Sequence, residues 1–270
     1  MDFETTRLVR VTPARLATWS DCPRRYRLTY LDRPAPPRSG ARAASTLGAV
    51  VHLALRALFD LPPTRRTRDA VAALVDANWS SEGFRDAAQA AHYRERARGW
   101  VADYAADLDP DADPVGREQW VSVSTERIVA EGRVDRIDRR GDELVIVDYK
   151  TGRHVPTDAD AADSPALALY AMATERTLRR TCRQVELHHL PTGGVHAFRH
   201  DRQTLDAHLA RAESGATELA AAADDLAAGA DPQARFPARP APRCGSCDVR
   251  RHCPEGRAAA PEAVPWAQLG

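Results

Sequence analysis

Apolar positions divide the chain into a helical first half and a strand-bearing second half. Thr12 is placed to cap a helix with Pro13 at its first position. That helix is predicted to stop before Cys22-Pro23, with a second short helix over Arg24–Leu31. Within Ser45–Phe59, Leu47, Val50, Val51, Leu55 and Leu58 recur at helical spacing, and Pro62-Pro63 ends the element. Two more helices are predicted near 67–79 and 86–108, and D-P-D-A-D-P at 109–114 closes this region.

The pattern then changes period. Gln119–Ala130, Gly132–Arg139 and Glu143–Tyr149 are rich in Val and Ile, and R-R-G-D at 139–142 predicts a hairpin between the last two. Val145, Ile146 and Val147 form the continuous apolar run of a central strand covered on both faces. After the linker H-V-P-T-D, a helix over Ser164–Arg179, strands over Gln184–Leu190 and Val195–His200, and a long helix over Asp201–Ala228 complete the predicted order. No internal repeat occurs. The order predicts an α/β fold with a central mixed sheet flanked by helices. It divides into an N-terminal segment (1–44), a helical insertion (45–115), a sheet core (116–230) and a cysteine-bearing tail (231–270).

At 270 residues, 43% of them hydrophobic, the chain can bury one large core or a core with an added lobe. No run approaches the roughly 18 apolar residues of a membrane helix, and M-D-F-E-T-T-R lacks the apolar core of a secretory signal. These features predict a cytoplasmic protein without membrane association. The zero net charge argues against a generic nucleic-acid coat protein. Locally, seven arginines between Arg7 and Arg33 and six between Arg235 and Arg257 face only two acids each. Such stretches either bind phosphate or are solvated faces of an arginine-rich chain.

Lys150 is the only lysine among 38 Lys and Arg residues, in V-D-Y-K-T-G at the end of the apolar run. It follows Asp148 by two positions, so on a strand both side chains project to one face. Asp135, in G-R-V-D-R-I-D, falls roughly opposite Asp148 across the predicted hairpin. Two converging carboxylates suit a hard divalent cation. An ammonium beside them can orient attacking water and offset phosphate charge, and its pKa moves in a desolvated site as arginine's does not. The alternative is a chance lysine at a surface strand end. His52, in L-G-A-V-V-H, is either a core histidine or, in company with the aspartates, a ligand, with Gly48 one turn earlier permitting close approach.

Five cysteines complete the candidate chemistry. Cys244, Cys247 and Cys253 read C-x2-C-x5-C, and in a cytoplasmic chain metal binding outranks disulfides. Cys22, before a proline in a basic turn, is the better fourth ligand. Cys182 reads as an ordinary buried thiol. Four thiolates hold either zinc or an iron–sulfur cluster, and spacing does not decide between them. Either would staple the two ends of the chain.

With S-D-C-P-R-R-Y-R-L-T-Y at 20–30, L-G-A-V-V-H at 47–52, G-R-V-D-R-I-D at 132–138, V-D-Y-K-T-G at 147–152 and C-G-S-C-D-V-R-R-H-C-P from 244, the chain resembles the PD-(D/E)XK nucleases. The likeness is to their RecB-like branch, which includes CRISPR-associated exonucleases. It covers most of the chain and implies a restriction-endonuclease-like core. It implies Mg2+ or Mn2+ at His52, Asp135, Asp148 and the Tyr149 carbonyl, and Lys150 as the catalytic lysine. It implies a [4Fe–4S] cluster at Cys22, Cys244, Cys247 and Cys253. The expected activity is cleavage of DNA, from ends of single strands, in repair or recombination.

One position departs from the family. Gln-x3-Tyr is expected on the helix after the lysine. Here Tyr170 remains to position substrate, and Ala166 stands in the glutamine's place. Two other readings stay open: a weakly catalytic or non-catalytic DNA-binding module, which this alanine favours, and a spacer-acquisition exonuclease, which the chain alone does not separate from a repair enzyme. A zinc-stapled interaction protein is a third. A P-loop is impossible because the lysine it needs would have to be Lys150, so any unwinding falls to a separate helicase.

Overall fold

The computed structural model describes residues 8–269. Six strands form one mixed sheet: β1 (Val9–Val11), β2 (Gly116–Ser124), β3 (Ile128–Arg140), β4 (Glu143–Lys150), β5 (Cys182–His189) and β6 (Gly194–Arg199). The helices that surround it are α1 (Pro13–Asp21), α2 (Pro23–Tyr26), α3 (Ala43–Leu58), α4 (Arg68–Ala77), α5 (Ala87–Ala106), α6 (Asp158–Asp163), α7 (Pro165–Leu178) and α8 (Arg202–Ala227). A mixed sheet flanked by helices is the expected architecture. Among the described residues no helix is long and apolar enough to cross a membrane.

α3 forms because its apolar residues fall on one stripe: Leu47, Val50, Val51, Ala54, Leu55 and Leu58 are all buried. They pack with Val145, Val147 and Tyr149 of β4 and with Val71, Val75, Ala97 and Val101 of α4 and α5. Each fully buried Leu or Val contributes about 1.5–3 kcal/mol, which outweighs anything helix propensity supplies. No side chain caps α3. The Ala43 amide instead donates to the Pro265 carbonyl, so the C-terminal segment satisfies a helix N-terminus. The opposite face of β4, with Leu144 and Ile146, packs against Leu167 and Ala171 of α7. α8 joins through Ala212 and Ala216, which pack with Val11, Ile128 and Ala130.

Two local expectations need correction, and one strand was not expected at all. The strand expected over Gln119–Ala130 is two strands. The Thr125 hydroxyl accepts from the amides of Arg127 and Ile128, which turns the chain before β3 begins. β1 pairs in parallel with the start of β3 (Val9↔Ile128), a contact across more than a hundred residues that no local pattern carries. The linker before α7 holds α6, started by a reciprocal cap between Thr157 and Asp160.

The topology leaves an opening in the sheet. β2 pairs along one edge of β3. On the other edge β1 pairs with residues 128–130 and β4 with residues 136–140. Among the described residues, 131–135 have no ladder partner on that edge, and Asp135 lies at the lip of the gap.

Candidate active site

β4 ends beside this gap. Asp148 and Lys150 project to one face, as strand alternation requires, and the Lys150 ammonium is paired with the Asp148 carboxylate. Asp135 lies across from Asp148, one step beyond the Arg136↔Val147 pair. Asp135 Oδ2 accepts from the Tyr149 amide at 3.0 Å, which ties the two strand ends together. Burial pushes the Asp148 carboxyl above the usual carboxylate range. Lys150 opposes that shift and Asp135 adds to it. Asp148 Oδ2 is buried without a well-directed hydrogen bond.

α3 delivers His52 to the same place. Its Nε2 lies 3.2 Å from the Tyr149 carbonyl. A carbonyl can only accept, so Nε2 carries the proton of that bond. Nδ1 is then turned toward Asp135 Oδ1 at 3.4 Å and Glu118 Oε1 at 3.9 Å. A bare lone pair facing two carboxylates is repelled, so this position calls for a proton or a cation. Burial lowers the imidazole pKa, but Asp135, Asp148 and Glu118 together outweigh it, and the net direction is upward. Gly48 allows the helix to approach, since a Cβ there would meet Thr151 Oγ1 at 3.3 Å.

Glu118 was not among the sequence candidates. The pairs Arg117↔Arg136 and Gln119↔Val134 place it opposite Asp135. Its own backbone adopts φ 47°, a left-handed value that costs a non-glycine residue about 1–3 kcal/mol and tends to persist at functional positions. The ligand atoms of His52, Glu118 and Asp135 all lie within 4.8 Å of one another. Burial, then Asp135, raise the Glu118 pKa. Arg133, whose Nε is 2.8 Å from Glu118 Oε2, opposes them. One imidazole and two carboxylates fit a divalent cation, with Asp148 alongside. The Tyr149 carbonyl, expected as a further ligand, is hydrogen-bonded to His52.

Tyr170 reaches the gap from α7. A Cβ on Gly132 would lie 2.5 Å from its ring, so glycine makes the room it occupies. Burial, with help from Asp148 and Asp135, pushes the phenol pKa up to about 12. Ala166, one turn earlier on α7, extends no polar group toward the site.

Behind Tyr149, on the other face of β4, lies a buried polar network that sequence reasoning also missed. Arg136 donates to Tyr104 Oη at 2.8 Å, to Tyr149 Oη at 3.2 Å and to Asp138 at 2.8 Å. Its guanidinium sits over the rings of Phe59, Tyr149 and Tyr104 at 5.5, 5.7 and 5.8 Å. Tyr104 Oη and His188 Nδ1 are 2.7 Å apart, His188 Nε2 lies 2.9 Å from Glu186, and Arg140 grips Glu186 with both terminal nitrogens at 2.6 and 2.8 Å. Burial alone would raise the Glu186 pKa, but His188 and Arg140 bring it down to about 2.

Cys22, Cys244, Cys247 and Cys253 line one cavity of about 620 Å³. The Ala241 amide points at Cys244 Sγ (3.4 Å) and the Gly256 amide at Cys253 Sγ (3.3 Å), the donors a thiolate needs. Cys182 lies apart, buried at the start of β5, its thiol pushed up to about 12 by burial. The chain's ends also meet directly, as Arg24 Nε donates to the Phe236 carbonyl at 2.9 Å.

A family model described as "PD-(D/E)XK nuclease superfamily" matches residues 10–254. Among solved structures, that of a "putative exonuclease" from Eubacterium rectale superposes with a TM-score of 0.53 at 10% identity, covering 90% of this chain and 87% of the other. At that identity the likeness is one of fold. No curated protein matches the chain.

Proposed function

We propose, from the premise that this chain belongs to the PD-(D/E)XK nuclease superfamily, that it is a divalent-metal-dependent DNA exonuclease. In this reading it degrades single-stranded ends in repair or recombination. The observation that carries the reading is the convergence of His52, Glu118 and Asp135 beside the Asp148–Lys150 pair. His52, Glu118, Asp135 and Asp148 would hold Mg2+ or Mn2+. Bound there, the cation would supply Lewis-acid stabilisation of the charge that builds on the phosphodiester. Lys150 directs the attacking water and offsets phosphate charge. Tyr170, held neutral by its raised pKa, donates a hydrogen bond toward substrate. Asp148→Ala and Lys150→Ala are expected to abolish Mn2+-dependent degradation of single-stranded DNA while circular dichroism stays native. Full activity in both variants would overturn the reading.

Ala166 favours a second reading, a DNA-binding module with weak or no cleavage. Retention of labelled strands with no product under Mg2+, Mn2+ or Ca2+ would select it.

We assign the cysteine cavity to a [4Fe–4S] cluster, with zinc as the alternative. The four cysteines line one cavity, and four thiolates can hold either group. Anaerobic purification should yield brown protein with iron and acid-labile sulfide in equal amounts. One zinc and no iron would refute the assignment.

A further inference from the structure

Among the described residues, the most exposed large hydrophobic side chain stands beside the candidate metal site. Trp120, on β2, is 63% exposed, whereas the other four tryptophans are buried or half-buried. A single exposed apolar residue needs no explanation on its own. Its surroundings give this one meaning. Trp120 follows Glu118 by two residues, and its cross-strand partner Arg133 precedes Asp135 by two. As a directly opposed cross-strand pair, Trp120 and Arg133 share one face of the β2–β3 pair. Val121 and Val134 point to the other face and pack in the core with α7. Arg133 pairs with Glu118 at 2.8 Å while its own side chain is 58% exposed. The residue directly opposite the indole is therefore a cation that touches Glu118, one of the three grouped metal donors.

The neighbours decide what the ring meets. A protein-docking patch would continue the apolar surface. Here the residues along and across the strands are Glu118, Ser122, Glu131 and Arg133, all polar. An isolated indole beside a guanidinium suits a flat aromatic ligand joined to an anion, which is what an unpaired nucleotide offers. A base in a duplex has both faces stacked and cannot lie on the ring.

We propose that Trp120 is a stacking platform for the nucleobase next to the scissile phosphate, so that this face of the β2–β3 pair takes single-stranded DNA. The proposal rests on the nuclease reading for the position of the phosphate. It makes Trp120 a substrate-positioning residue, with Arg133 placed for the adjoining phosphate.

The test compares the full-length chain with Trp120→Ala and Trp120→Phe. Binding of fluorescein-labelled oligo-dT, and of the same backbone with abasic nucleotides, is followed by anisotropy with Ca2+ in place of Mg2+. Cleavage of both strands is then followed with Mn2+. Trp120→Ala is expected to weaken oligo-dT binding about 5- to 150-fold, the range of one stacked base. Trp120→Phe should keep most of the affinity, and on the abasic strand all three proteins should bind alike. Because Trp120 is exposed, thermal unfolding should not change. No loss on oligo-dT, or equal loss on intact and abasic strands, overturns the platform and leaves cleavage through Asp148 and Lys150 standing. Strands bound without cleavage, yet released by Trp120→Ala, keep the platform while the hydrolytic reading fails. A wild-type chain that binds no DNA overturns both.

Discussion

β4 carries a polar cluster on each face, and the two are built on opposite principles. On the face of Tyr149, Glu186 and Asp138 are matched by Arg140 and Arg136, and His188 and Tyr104 link them. Apart from Arg136 Nε, the side-chain polar atoms of that network have partners. On the face of Asp148, three carboxylates crowd around His52, and Asp148 Oδ2 lacks a directed hydrogen bond. The balanced cluster is held together by its own contacts. The other turns His52 Nδ1 toward Asp135 and Glu118, a group that could hold a cation, while Lys150 and Arg133 pair with Asp148 and Glu118 at its margins.

This contrast is most sharply tested at Glu118. Replacing it with glutamine removes one charge from the crowded side and keeps the shape. Loss of about 3 kcal/mol of transition-state stabilisation corresponds to roughly a hundredfold drop in Mn2+-dependent cleavage. The same change should raise the melting temperature of the protein in EDTA, since burial and Asp135 already disfavour the Glu118 anion. Activity down and metal-free stability up is the signature expected of a ligand. A fall in both would mark Glu118 as a structural carboxylate.

The balanced side should answer with the opposite sign. Glu186 has a folded pKa of about 2 against an ordinary value of 4.5. Its ion pair therefore contributes stability above pH 4.5 that is lost as pH falls toward 2, by up to about 3 kcal/mol. Glu186→Gln should lower stability at neutral pH and flatten the acid limb of a denaturation profile between those values. An unchanged acid limb would show that Arg140 and His188 do not hold the charge as their distances indicate.

How much of this was legible in sequence follows the range of the contacts. The hairpin of β3 and β4 is local, so the apposition of Asp135 and Asp148 could be read from G-R-V-D-R-I-D, R-R-G-D and V-D-Y-K. α3 announced itself by its apolar stripe, and the cysteine spacing marked the set that now lines one cavity. Glu118 was hidden because its place depends on the β2–β3 register and on a left-handed backbone. The signal that could have found it is that register. Pairing 119–124 with 129–134 sets residue 118 across from Asp135. The Arg136 network joins residues 104, 136, 149, 186 and 188, and no periodicity relates positions so far apart. β1 was missed for the same reason, and the break before β3 because a threonine hydroxyl took the backbone donors.

The smallest effect expected in this comparison belongs to Gly48, where the crowded face meets α3. Sequence reasoning gave this glycine the task of permitting close approach. The structure limits that task, because a Cβ would meet only Thr151 Oγ1, at 3.3 Å. A threonine hydroxyl is the end of a side chain and can rotate away, whereas alanine within a helix gains about 1 kcal/mol over glycine. The two effects nearly cancel, so Gly48→Ala should shift the urea midpoint little in either direction. Gly132→Ala should not be so mild, since its Cβ would lie 2.5 Å from the Tyr170 ring. A Gly48→Ala protein as destabilised as Gly132→Ala would mean that Thr151 cannot turn, and that the strand end carrying Lys150 is held more rigidly than its contacts require.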